Sequence, residues 1–309
     1  MRCYALAEEA SSRGLKSLFF MPEATSPIRE KLRTIGAKWL PRPAKKTRTD
    51  TTGYPSPDSW WIVDSYQADL NLLNKLRHNN RVLIIDDLCS LPEYNCDAVI
   101  NAAPLAPLLQ YSSKARNARL LLGSSYSLIR KEFRQFCRLK AARTETHRVA
   151  IMLGGSDPKN FSAPILQHLH EGLPTVHFTV ILGPLAKNQP EIAQLTIALG
   201  RSRLIVDPPN LAQELADVAL VVTGAGGTLG ELCALGQMAV ALVVVDNQKG
   251  ALQSCPYPVL DARSTFPDAL LSTVKAHLFA EDGNLPVISR ANALVDGLGC
   301  RRVVDILVE

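Results

Sequence analysis

The feature that most constrains this chain is a sustained alternation. Short apolar runs rich in Val, Ile and Leu alternate with helix-like stretches and turn residues through most of its 309 residues. A short apolar run bounded by turn signals reads as a strand buried on both faces, and strands that alternate with helices build a parallel sheet. The first half predicts strands over 18–21, 61–63, 82–85, 98–100 and 120–122, with helices over 2–13, 27–35, 70–76 and 128–142. The second half restarts the rhythm with strands over 149–153, 178–182, 204–206, 219–222 and 239–245, and helices over 163–169, 191–199, 211–215 and 229–235. Helix-like segments at 269–279 and 290–304 are expected to finish the second domain and to pack across to the first. The expected fold class is therefore α/β, with two doubly wound Rossmann-like domains, 1–145 and 146–309, and a cleft between them.

Composition supports a globular reading and removes other classes. Hydrophobic residues make up 47% and charged residues 20% of the chain, which is enough to build two cores. The longest apolar stretch, 238–245, falls far short of the ~20 residues of a membrane helix, so no transmembrane segment is predicted. Early charges at Arg2, Glu8 and Glu9 argue against a signal peptide. The 7 cysteines are odd in number and contain no Cys-x-x-Cys pair, which points away from disulfides and zinc and towards the cytoplasm. Basic residues cluster at Arg29, Lys31, Arg33, Lys38, Arg42, Lys45, Lys46 and Arg48, and those from Arg42 on fall in a turn-rich loop over 41–59. No nucleic-acid motif or interleaved aromatic residues accompany them, so nucleic acid is not an expected partner. A monomer is expected.

Two glycine-rich turns follow strands and open helices. Thr223-Gly224-Ala225-Gly226-Gly227-Thr228 leads into a helix carrying Glu231, where unpaired amides and the positive helix end suit a pyrophosphate and the carboxylate suits ribose hydroxyls. A tight turn with a helix-capping Glu is the alternative. Gly154-Gly155-Ser156-Asp157 has the same placement and could hold a phosphate or be only a turn. Asn247 and Gln248, with Asp246, end the last of these strands at the same sheet edge, where they could bond sugar hydroxyls or cap a helix.

In the first half, Asp64-Ser65-Tyr66 and Asp86-Asp87 end strands on the side of the expected cleft. Paired carboxylates can do acid–base work or bind a metal, and either could instead cap a turn. None of the 6 histidines (His78, His147, His168, His170, His177, His277) falls at a predicted cleft-facing strand end, so no general base is assigned from the sequence.

Taken in order, Met1 to Ala7, Asp64-Ser65-Tyr66, Asp86-Asp87, Cys96-Asp97, Tyr126 to Phe133, Gly154 to Asp157, Glu231 and Asn247-Gln248 resemble the UDP-2,4-diacetamido-2,4,6-trideoxy-β-L-altropyranose hydrolases of pseudaminic-acid biosynthesis. The resemblance implies a GT-B architecture like that of the glycosyltransferase that makes lipid II. It also implies release of UDP from the sugar's C1 by water, with no metal or cofactor. By motif position, Gly226, Gly227 and Thr228 would hold the diphosphate and Glu231 the ribose, while Tyr66, Asn247 and Gln248 would lie around the sugar and Tyr66 could support the reaction. Arg2 matches the Arg of the family's Gly-x-Gly-His-x-x-Arg motif; the His of that motif, thought to be the base, has no counterpart in the sequence. The resemblance therefore leads us to expect about 20 residues before Met1, supplying a strand and the histidine loop. Losing a central strand would remove several buried side chains at roughly 1.5–3 kcal/mol each, against a domain margin of about 5–15 kcal/mol. Two further readings share the fold: a UDP-sugar-dependent glycosyltransferase and a non-catalytic UDP-sugar-binding protein.

Overall fold

The computed structural model describes residues 1–21, 24–41, 59–136, 147–157 and 159–309. The interior of the expected basic loop, with Arg42, Lys45, Lys46 and Arg48, and the expected linker up to Glu145 lie outside the described residues. The chain forms two compact units, Met1–Lys131 with Leu298–Glu309, and Glu132–Gly297. The division falls earlier than residue 145, and the C-terminal segment joins the first unit instead of closing the second.

The first unit runs α1 Arg2–Ser12, β1 Leu18–Met21, α2 Ser26–Thr34, β2 Lys38–Pro41, β3 Trp60–Asp64, α3 Leu70–Arg77, β4 Arg81–Ile85, β5 Ala98–Asn101, α4 Tyr111–Lys114 and β6 Arg119–Leu122. Local chemistry sets the helix starts. Pro27 sits in the first turn of α2, where its missing N–H costs nothing, and the Asp69 carboxylate accepts the Leu72 amide at 2.7 Å to cap α3. Past Arg81, β4 and β5 are buried along their whole length, as strands covered on both faces must be.

Instead of one continuous sheet, the strands form two. β3-β4-β5-β6 are parallel neighbours in chain order, while β1 pairs in parallel with β2 alone among the described residues. β2 was not expected from its sequence, because Lys38 and Pro41 leave only two apolar residues between them. Between β1 and β3 the contact is aromatic: Phe20 stacks on Trp61 with ring centroids 5.2 Å apart. The helix expected over 128–142 starts only at Lys131, as α5 Lys131–Phe136, and residues beyond 136 on that stretch lie outside the described set.

The second unit runs β7 Arg148–Met152, α6 Ser162–Gly172, β8 His177–Leu182, α7 Gln189–Leu199, β9 Ser202–Val206, α8 Leu211–Ala216, β10 Leu220–Gly224, α9 Thr228–Leu235, β11 Ala239–Val243, α10 Ala251–Ser254, β12 Val259–Asp261, α11 Leu270–Leu278 and α12 Leu285–Leu294. Its six strands form one parallel sheet in the order β12-β11-β10-β7-β8-β9. This is the doubly wound pattern, with chain direction across the sheet reversing between β7 and β10. The segment expected as one helix over 290–304 is two, because Gly297 at φ +73 turns the chain after α12.

The last helix, α13 Gly299–Val308, belongs to the first unit. Its Cys300, Val303 and Val304 share a buried cluster with Ala5, Leu6 and Ala10 of α1 and with Leu83, Ile85 and Ile100 of the sheet. The approach is close enough that a Cβ on Gly299 would lie 2.2 Å from the Ser127 carbonyl oxygen.

Candidate functional site

In the second unit, the reversal between β7 and β10 sets their C-terminal turns side by side, since the two strands pair from Leu220↔Val149 to Thr223↔Met152. A crevice at such a reversal is where open α/β sheets take ligands. The turn after β7 holds Gly154 at φ +88, with open space where a side chain would be. Gly155 is constrained differently: its carbonyl oxygen would lie 2.3 Å from a Cβ on Gly183, so the turns after β7 and β8 touch backbone to backbone. Ser156 is exposed beside them.

Asp157 is not available to a ligand. It is 1% exposed, and its carboxylate accepts the amides of Phe161 and Ser162 at 3.0 Å each and the Asn188 side-chain amide at 2.8 Å. These bonds cap α6 and tie the turn to the start of α7.

The turn after β10 carries the stronger feature. Gly226 and Gly227 are exposed, a Cβ on Gly227 would meet nothing, and α9 starts at Thr228 immediately beyond them. Glu231 is 7% exposed in the first turn of α9, where the helix dipole favours a carboxylate. α9 ends where Gly236 adopts the left-handed conformation at φ +70.

Gln248 reaches the same turn from the loop after β11. Its Oε1 accepts the Val244 amide at 3.0 Å, and this fixes the side chain so that Nε2 lies 3.4 Å from where a Cβ on Gly226 would stand. A directed amide donor thus sits over the glycines. Asn247 is exposed beside it. The Gly154, Gly226 and Gln248 turns are therefore brought together by strand order, although they are far apart in sequence.

Two contributors were not singled out in the sequence. Gly183 permits the backbone contact with Gly155, and Arg263 holds the loop after β11 through Asp246 at 2.8 Å while also binding Asp261 at 2.8 Å. The Arg263 bonds hold the Asp261 carboxylate down to about 2. β12 was not expected as a strand; it ends at Asp261, and Arg263 lies two residues beyond.

In the first unit, Arg2 organises the sheet edge. Its guanidinium bonds Asp64 at 2.6 Å, after β3, and Asp87 at 2.5 Å, after β4. Burial opposes its charge, but the bonds to Asp64 and Asp87 outweigh burial and hold Arg2 above its ordinary range. Tyr66, 64% exposed, donates its hydroxyl to Asp87 at 2.7 Å. The Cys3 thiol beside Asp64 is pushed up to about 12 by burial and then by the Asp64 charge.

The two adjacent carboxylates part company here. Asp86 accepts the hydroxyls of Tyr94 and Tyr111 at 2.5 and 2.8 Å and the amides of Leu88 and Cys89 at 3.2 and 3.0 Å, so it closes its turn and is not an acid–base partner of Asp87. The recess beside Arg2, Asp64, Tyr66 and Asp86 is about 70 Å³. No group of three or more metal-ligating side chains occurs among the described residues, and no helix among them is long and apolar enough to cross a membrane.

No family model matches the chain. It is 24% identical over 258 residues to an uncharacterized protein of Methanocaldococcus jannaschii; the match takes in 80% of this chain, which spans about half the length of that curated relative, 53%. Among solved structures it is similar to MurG of Acinetobacter baumannii, with a TM-score of 0.61 at 14% identity over 99% of this chain and 94% of that one. It is also similar to a UDP-glucosyltransferase from Polygonum tinctorium, with a TM-score of 0.61 at 11% identity over 99% and 95%. A glycosyltransferase from Rickettsia africae gives 0.57 at 7% identity over 99% and 93%. These likenesses establish the fold: the chain has the two-domain, Rossmann-like GT-B architecture of glycosyltransferases.

Proposed function

We propose that this protein binds a UDP-linked sugar at the C-terminal edge of the second unit's sheet. The observation that carries the reading is the reversal between β7 and β10, which sets two glycine turns side by side at the start of α9. In this reading, the turn of Gly226, Gly227 and Thr228 holds the diphosphate, with the Gly227 and Thr228 amides as donors because the Gly226 amide bonds the Gly224 carbonyl at 2.8 Å, assisted by Gly154, Gly155 and Ser156. Glu231 accepts bonds from the ribose hydroxyls, and the Gln248 amide and Asn247 bond oxygens of the sugar. In the first unit, Arg2, Asp64 and Tyr66 are assigned to the substrate. The UDP-glucosyltransferase from Polygonum tinctorium, which has the same fold, supports a nucleotide sugar as the ligand class.

The finer reading is hydrolysis of a UDP-linked diacetamido-trideoxyhexose, which the ordered motif resemblance supports. Water adds to C1, the bond from C1 to the phosphate oxygen breaks, UDP leaves, and the water proton passes to a base. A glycosyltransferase on this fold would replace the water with an acceptor hydroxyl.

Calorimetric titration with UDP tests the binding reading. Glu231→Ala should weaken UDP by roughly 1–3 kcal/mol through loss of charge-assisted bonds. Folded protein that refuses UDP, or a variant with unchanged affinity, removes this edge from consideration. Following UDP release from a panel of UDP-sugars then separates the chemistry: release in water alone supports the hydrolase, release only with an acceptor supports the transferase, and binding without release marks a non-catalytic binder.

A further inference from the structure

At the opposite end of the second unit's sheet lies a recess of about 320 Å³ that the nucleotide-sugar reading leaves unused. It opens where β7, β8 and β9 begin. Arg148 pairs in register with His177, Phe178 pairs with Ser202, and Arg201 directly precedes Ser202. Arg148, His177 and Arg201 therefore form a row across three neighbouring strands, and all three line the recess. Arg203, one pleat further along, lines it too. Gly200 at φ +61 and Arg201 at φ +38 make the tight turn that delivers this arginine to the row.

The charges do not cancel. Glu214 and Asp217 are the acidic lining residues. Glu214 is taken by Arg203 at 2.9 Å, and Arg203 also donates to the Thr179 hydroxyl at 3.2 Å. Among the described residues the Arg201 guanidinium meets a ring nitrogen, that of His170, at 3.2 Å. The side chains of Arg148 and His177 make no hydrogen bond or ion pair among the described residues; only their backbones are bonded. Beyond the Arg203–Glu214 pair, two guanidinium groups and an imidazole thus line the recess, and arginine forks suit planar or tetrahedral oxyanions that accept two bonds at once.

We infer that this recess is a second ligand site, for a small molecule bearing a phosphate monoester. A volume of about 320 Å³ exceeds what a bare ion fills and sits at the lower end of small-molecule pockets, which start near 300 Å³. The five residues of β7 separate it from the glycine turns by about 16 Å, at roughly 3.3 Å per residue, so both sites can be filled together. The site does not depend on what binds at the other edge.

Titration of the full chain with ribose 5-phosphate, with ribose as control, tests this by calorimetry. Saturable binding of ribose 5-phosphate but not ribose is expected, with at least a tenfold loss in the R148S/R201S double variant and an unchanged melting temperature. The single variant R148S, at an exposed residue, should lose at least threefold and serves if the double variant does not fold. No heat with ribose 5-phosphate, or an affinity that survives these substitutions, overturns the site. A parallel arm with vesicles of phosphatidate in phosphatidylcholine locates the monoester: co-sedimentation lost in R148S/R201S assigns it to a lipid headgroup, whereas binding confined to ribose 5-phosphate assigns it to a soluble metabolite.

Discussion

Asp86 and Asp87 are neighbours with identical side chains, yet they have opposite roles. Asp86 gathers two tyrosine hydroxyls and two amides. Removing that acceptor strands partly buried donors, so Asp86→Ala should cost about 2–4 kcal/mol in urea denaturation. Asp87 meets Arg2 and Tyr66 at a more open edge, and Asp87→Asn should cost less than about 1 kcal/mol by the same measurement. The sequence shows that a strand ends in two carboxylates; it does not show which one turns inward, because Tyr94 and Tyr111 arrive from later segments. The same holds for Asp157, which reads as part of a phosphate turn but is spent on Phe161, Ser162 and Asn188.

Glycines separate by what surrounds them. At Gly183 an added methyl group would press into the Gly155 backbone, where no flexible side chain can yield. Gly183→Ala should therefore lower stability by about 1–3 kcal/mol. At Gly226 the methyl group would meet only the end of Gln248, so Gly226→Ala should keep the wild-type melting temperature. It should still weaken UDP about tenfold, on the order of 1.4 kcal/mol, by crowding the amides. Equal destabilisation in both variants would remove the distinction between a packing glycine and a ligand glycine. α13 is the other element to test. Val304 is fully buried against the first unit, and Val304→Ala should cost about 1–3 kcal/mol by thermal or urea unfolding. The helix expected over 290–304 takes in only residues 299–304 of it, with packing on the first half expected; that it is part of the first unit outright depends on the buried cluster it shares with α1.

Across the whole molecule, burial has one shared electrostatic consequence. Burial pushes Cys96 and Cys233 up to about 12, and it raises the hydroxyls of Tyr94, Tyr111 and Tyr257 above their ordinary range. In the unfolded chain a thiol loses its proton near pH 8.5, roughly, while the folded chain keeps it. Over that window the unfolded state binds fewer protons, so the slope of stability against pH is negative. Between about pH 5 and 8 stability should be flat, and it should fall steadily from there towards pH 12, read as the urea midpoint in a pH series. A midpoint constant to pH 11 would contradict the burial of these groups. The sequence by itself determined the α/β class, the two parallel-sheet units and the glycine turns at strand ends, because those depend on local periodicity and on backbone freedom at named residues. Only the tertiary structure decided that α13 belongs to the first unit and not to the second, that the first unit's strands divide into two sheets, and that Gly154, Gly226 and Gln248 share one edge. Those outcomes depend on strand order and on side chains meeting across long stretches of chain, and neither leaves a trace in the local pattern of residues.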